Sequence, residues 1–272
     1  MEFIRKVLSL LDFRLNETPP SYGWFHLMFV CLIIGLTVFL CIKFKNCSDK
    51  AFRRIVLICW LTMVTLEIYK QFVYSYSLEP AAIEWDYQWY AFPYQLCSTP
   101  LYVLPFIAFM KDSRLRDAFV AYMATFSLFA GAAVFCYPGD VFSKILGISI
   151  QTMVHHGLQI VLGVFFIVWA RKRINMWFYL KAIPVFAVLV SVAIYMNNVF
   201  VLSGSDETFN MFFISKHFDC TLPVLSIIYP LVPYIAFLML YIFGFSLVAF
   251  IVFAIAKGII KLTKLRKKKS AC

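Results

Sequence analysis

Runs of about twenty apolar residues recur along the chain, separated by short clusters of Lys and Arg. A helix that crosses a bilayer needs about 20 mostly apolar residues. Seven windows meet that need: 24–43, 55–75, 92–110, 117–137, 146–169, 177–200 and 229–256. The pattern predicts an all-α polytopic membrane helix bundle of about seven transmembrane helices. The third window, FPYQLCSTPLYVLPFIAFM, holds three prolines. A break of that kind survives in a membrane only where protein or a wet cavity satisfies the freed backbone groups. Pro223, Pro230 and Pro233 predict an irregular start to the seventh helix. Ahead of the first window, residues 1–20 read as an interfacial amphipathic helix. Phe3, Ile4, Val7, Leu8 and Leu11 share one face of it, and Pro19-Pro20 closes it. The expected organisation is that helix, a seven-span domain over 21–257, and a basic cytoplasmic tail over 258–272.

Composition agrees and charge adds an orientation. Hydrophobic residues make up 62% and charged residues 14% of the chain, against about half and a quarter in soluble domains. Of the 25 Lys and Arg, eighteen fall on one side of the expected membrane: five over 43–54, three over 111–116, three over 171–173 and seven over 257–269. Five fall on the other side (Arg5, Lys6, Arg14, Lys144 and Lys216), while Lys70 and Lys181 lie inside windows. The positive-inside rule then puts the N-terminus out and the C-terminus in. The net charge of +11 therefore describes topology, with membrane lipids and not nucleic acid as partners. The expected location is an integral protein of the plasma membrane. The eight cysteines include no C-x-x-C pair and no zinc spacing, so neither a metal nor a cofactor is expected. Cys136 and Cys220 fall near the same outer side and are open to pairing as a disulfide.

Against this apolar background the polar residues within the spans carry the information, since a charge at mid-span costs about 2.5–3.5 kcal/mol on insertion scales. Glu67 and Lys70 lie in the outer half of the second window, and Gln95 and Cys97 open the third. His155 and His156 sit about ten residues into the fifth, and Asn197 and Asn198 close the sixth. Four helices thus carry polar groups at similar depth, which points to one site. Glu67, Lys70, Gln71 and Tyr74 share a helical face, as do Thr152, His156 and Gln159, then Gln151 and His155. Ser191, Tyr195 and Asn198 form a stripe on the sixth window. In the third, Tyr94, Cys97 and Ser98 share a face, and Gln95 joins them only if the helix unwinds near Pro93 or Pro100. Plain readings stand beside these. Glu67 and Lys70 can be an ion pair that fixes packing, the asparagines interhelical glue, and Cys97 a small packing residue. A histidine pair at mid-span reads as functional, because imidazole exchanges protons near neutral pH.

The segments FPYQLCSTP, FSLFAGAAVFCYPGD, MVHHGLQIVLGVFFIVW, IYMNNVFVLSG and FNMFFISKH, in that order across the spans, resemble the YwaF-type family of bacterial integral membrane proteins. The likeness covers roughly residues 55–240. Eukaryotic relatives of that family are similar to intramembrane phospholipid acyltransferases that use a Cys and a His. The histidine matches His156. The cysteine of those relatives directly follows the proline, a position held here by Tyr94, while Cys97 follows the bacterial pattern one turn further on. The resemblance implies an intramembrane lipid acyltransferase or acyl-ester hydrolase acting on outer-leaflet phospholipids. Cys97 and His156 would act with His155, and Gln95, Tyr94, Asn198, Asn197, Glu67, Lys70 and Gln159 would bind or orient substrate. Two alternatives stay open: ester hydrolysis by water activated at His156, and a non-enzymatic transporter or ligand-binding subunit whose polar cluster holds a solute.

Overall fold

The computed structural model describes residues 2–78, 82–139, 141–204 and 207–269, with the side chains of 266–269 excepted. Eight helices organise it: α1 (Glu2–Leu11), α2 (Trp24–Lys43), α3 (Asp49–Tyr74), α4 (Pro100–Phe109), α5 (Arg114–Cys136), α6 (Leu146–Trp169), α7 (Met176–Leu202) and α8 (Tyr234–Lys269). Local chemistry sets their starts. Ser48, Ser113 and Asn175 each accept a hydrogen bond from a backbone N–H in the first turn of α3, α5 and α7, the expected role of an N-cap side chain. Pro100 opens α4, where a missing N–H costs nothing.

Five helices, α2, α5, α6, α7 and α8, are long and apolar enough to cross a membrane, so the chain is an integral membrane protein. The other two expected spans differ in kind. At 26 residues α3 has the length, but charged residues interrupt its apolar surface. The third window is helical only over Pro100–Phe109, and ahead of it the backbone makes one 3-10 turn, Leu96–Ser98. Proline removes backbone donors, so the break ahead of α4 falls in the proline-bearing stretch of the sequence.

The bundle is built around α6, which packs against α2, α3 and α5, while α4 lies on α3 and α7 on α5. Phe52 stacks on Trp169 with ring centroids 3.9 Å apart, and Phe126 stacks on Phe186 at 4.4 Å. Midway along α5 the helix widens into one π turn, Met123–Ser127, against which α8 packs. Glycines let α6 come close to its neighbours. A Cβ on Gly131 would lie 2.6 Å from the His156 carbonyl oxygen and 2.8 Å from Gln159 Cβ.

Three details depart from the expected outline. The loop after α3 forms an antiparallel hairpin, β1 (Tyr76–Leu78) with β2 (Ile83–Trp85), so the fold is not purely helical. The N-terminal helix ends at Leu11 and is not free: Tyr69 and Tyr76 donate to the Leu11 and Leu8 carbonyls, both at 2.7 Å. Of its expected apolar face, Phe3, Ile4 and Val7 are exposed and Leu8 is buried. Cys136 is exposed and Cys220 buried, and both are free thiols, so the open disulfide pairing is not made. Cys272 lies outside the described residues.

Candidate functional site

The broken start of the third window decides what the site looks like. Because residues ahead of α4 leave the helical path, the Cys97 carbonyl has no helical donor. Two side chains of α6 supply its hydrogen bonds: His155 Nε2 at 2.9 Å and Gln159 Nε2 at 2.9 Å. Both lone pairs are thereby satisfied by residues one turn apart on the same helix. Gln159 also accepts from Ser127 Oγ in the π turn of α5, so three elements meet at this point.

The two imidazoles have defined tautomers. A carbonyl oxygen only accepts, so the ring nitrogen bonded to one carries hydrogen and the other nitrogen of a neutral ring holds a lone pair. His155 donates through Nε2, which leaves Nδ1 as the base; it is buried and has no hydrogen-bond partner among the described residues. His156 donates through Nδ1 to the Thr152 carbonyl at 2.8 Å, which leaves Nε2 as its base. Both rings are buried, and their centroids stand 5.4 Å apart.

A second line of polar groups runs from α3. Lys70 Nζ pairs with Glu67 Oε1 at 2.7 Å, and Gln71 Nε2 donates to the same carboxylate at 2.7 Å. Gln151 Nε2 reaches Glu67 Oε2 at 3.3 Å and accepts weakly from Thr152. This ties the carboxylate to Gln151, which shares its face of α6 with His155. The charges of this pair act across the interior on the Cys97 thiol and on His156, and that of Lys70 on His155 as well. Cys97 itself is half-buried between the buried Leu96 and Ser98. Cys97, His155, His156, Gln159, Glu67 and Lys70 therefore belong to one cluster.

The remaining sequence candidates lie elsewhere or act differently. Tyr94 is buried, donates to the Leu189 carbonyl of α7 at 3.3 Å and packs against Phe212. Gln95 donates to the Asn210 carbonyl at 2.9 Å, and its own Oε1 is buried without a partner among the described residues. Asn197 exchanges two hydrogen bonds with the Met211 backbone, at 3.0 and 2.8 Å. These bonds hold a segment in which Phe212 and Phe213 both adopt positive φ, at 59° and 57°, a strained conformation that needs such anchoring. Asn198 is not drawn in; its amide returns to the Ile194 carbonyl of its own helix.

Sequence reasoning passed over other members of the cluster. Tyr122 shares a 2.7 Å hydrogen bond with Thr99, and both are fully buried. Tyr241 of α8 is buried with its hydroxyl unpartnered among the described residues. The available signal was a Tyr inside an apolar helix, since a buried hydroxyl calls for a polar neighbour. Among the described residues no three His, Cys, Asp or Glu side chains come together as a metal-ligand set. The cluster thus offers a half-buried thiol, two imidazoles with fixed lone pairs and an ion pair between the buried Glu67 and the half-buried Lys70. That set is suited to nucleophilic and proton-transfer chemistry in a dry interior.

Comparison with known proteins gives one match. The TMEM164 family model covers residues 21–257, and the chain belongs to that membrane protein family. No curated protein and no solved structure matches it.

Proposed function

We propose that this member of the TMEM164 family is an intramembrane enzyme that transfers or hydrolyses the acyl chains of outer-leaflet phospholipids. The observation that carries the reading is the junction at Cys97, whose backbone carbonyl α6 holds through His155 and Gln159, with the buried His156 ring 5.4 Å from that of His155. The resemblance of the motif order to the YwaF-type family, whose eukaryotic relatives are similar to acyltransferases with a histidine matching His156, is consistent with this reading. In the proposed reaction, the Cys97 thiol gives its proton to His156 and attacks the ester carbonyl of a phospholipid. The carbonyl carbon–oxygen bond breaks, the leaving lysolipid alcohol takes the proton from His156, and the acyl chain remains on sulfur as a thioester. A second lysolipid hydroxyl, or water, attacks the thioester and returns the proton to the thiol. His155 acts as a positioning residue by fixing the Cys97 backbone. The amide of Gln95 and the ammonium of Lys70 are the donors proposed to face the developing oxyanion.

The same reading takes α2 to α8 as seven crossings, with the N-terminus outside, the C-terminus inside and the plasma membrane as location. Its support is the eighteen-to-five division of basic residues and the polar satisfaction of the broken third crossing by its neighbours.

The test is to incubate detergent-purified protein with a mixed phospholipid and an isotope-labelled lysophospholipid, and to read the products by mass spectrometry. New labelled diacyl species support transfer, and free fatty acid supports hydrolysis. Intact lipids, together with binding of a small solute, would replace the enzyme by a solute-binding membrane protein.

A further inference from the structure

The opposite end of α3 carries a second feature. Asp49 and Glu67 are separated by about 27 Å at the helical rise of 1.5 Å per residue. Between the first turns of α3 and the last turn of α4 lies an open cleft of about 480 Å³. Its polar wall is Lys50, Arg53 and Arg54, and its apolar wall includes Leu57 and Phe109.

Each polar group has a definite commitment. Arg53 donates from Nε and Nη2 to the Ala108 and Phe109 carbonyls, at 2.5 and 3.1 Å. The guanidinium therefore caps the end of α4 and is fixed across the cleft floor. The one acid in the lining, Asp49, is bonded by Arg116 at 2.5 Å. That ion pair leaves Asp49 already matched. Lys50 and Arg54 are exposed, and neither has a hydrogen bond or ion pair with a described residue. The cleft thus keeps an uncompensated excess of positive charge, reinforced by the positive end of the α3 dipole. Alongside it, Phe109 is 60% and Ile58 64% exposed, an apolar surface suited to contact with hydrocarbon.

We propose that this cleft binds the phosphate headgroup of an anionic phospholipid, with Lys50 and Arg54 closing on the phosphate and the upper methylenes lying against Leu57 and Phe109. Basic pockets between membrane helices recognise lipid headgroups in this way. The apolar wall selects a lipid over free phosphate, and the cationic excess selects an anionic over a zwitterionic one.

Detergent-purified full-length protein is mixed with phosphatidylglycerol and phosphatidylcholine of matched acyl chains, and retained lipid is counted by native mass spectrometry. A parallel arm records melting temperature with each lipid and with inorganic phosphate. The expected result is selective retention of, and stabilisation by, phosphatidylglycerol. Lys50→Gln or Arg54→Gln should each weaken retention about 5-fold, the scale of one basic residue at an anionic lipid surface. The double charge reversal, Lys50→Glu with Arg54→Glu, should abolish the preference while the lipid-free melting temperature is kept. Equal retention of the two lipids overturns the proposal, as does undiminished preference in the single variants. Stabilisation by inorganic phosphate as large as that by phosphatidylglycerol overturns the lipid assignment.

Discussion

The helices α6 and α7 follow one another in the chain and are alike in length, yet 61% of the most apolar stretch of α6 is buried against 28% of that of α7. Both carry a stripe of polar residues at helical spacing. On α6 the stripe turns inward, and Gln151, Thr152, His155, His156 and Gln159 are all buried. On α7 Ser191 is exposed, Tyr195 is 68% exposed and Asn198 bonds its own backbone. Periodicity says which residues share a face, but only neighbouring helices say which face is covered. Surrounded by α2, α3 and α5, α6 finds a hydrogen-bond partner for each side chain of its buried stripe, while His155 Nδ1 is left without one among the described residues. With fewer neighbours, α7 presents its stripe to the surroundings.

The largest expected effect separates the two stripes by activity. His156→Asn should lower lipid turnover by 10² to 10⁴-fold, the range typical of general acid–base catalysis, with an unchanged melting temperature. His155→Gln should cost less, because its amide reaches the position of Nε2 and can still donate to the Cys97 carbonyl. Tyr195→Phe on α7 should leave turnover unchanged. If Tyr195→Phe abolished turnover while His156→Asn did not, the contrast between the helices would be broken.

Packing gives the next effect. Gly131→Ala adds a methyl within 2.6 Å of the His156 carbonyl, in a contact made of backbone that cannot rotate away. Overpacking of this kind costs about 1–3 kcal/mol, so the variant should melt earlier and should displace α6 from α5. A wild-type melting curve would mean that the helices are not held this closely.

Smaller still is the difference between two adjacent asparagines of α7. Asn197→Ala removes two hydrogen bonds to Met211 and should cost about 1 kcal/mol, within the range for interhelical bonds in membranes. Asn198→Ala removes one bond to its own helix and should stay within about 0.5 kcal/mol. Equal losses in thermal unfolding would show that the Met211 segment is not anchored by Asn197.

Much of this was open to a reader of the sequence alone. The apolar runs place α2 and α6 at the expected boundaries, because a helix in hydrocarbon must be apolar along its whole length. The prolines of the third window locate the unwound stretch before α4. The hairpin after α3 was not legible, since three-residue strands carry too little alternation to register. The π turn in α5 was also hidden, because a widened turn leaves no residue signature. Spacing could group Gln151 with His155, but not reveal that Gln151 would reach Glu67 on another helix. Tyr122 and Tyr241 enter the cluster through tertiary packing, and local pattern did not single them out. The anchoring role of Gln95 and Asn197 depends on a loop more than a hundred residues beyond Gln95.

The most direct measurement is the mass of the intact protein after incubation with a phospholipid of one defined acyl chain. An acyl thioester at Cys97 would add the mass of that acyl group. Hydroxylamine would release it, Cys97→Ser would lack it, and His156→Asn would accumulate it only slowly. Lipid turnover in the wild-type protein that persists undiminished in Cys97→Ser, with no adduct in either, would contradict the account and pass the chemistry to water activated at the histidine pair.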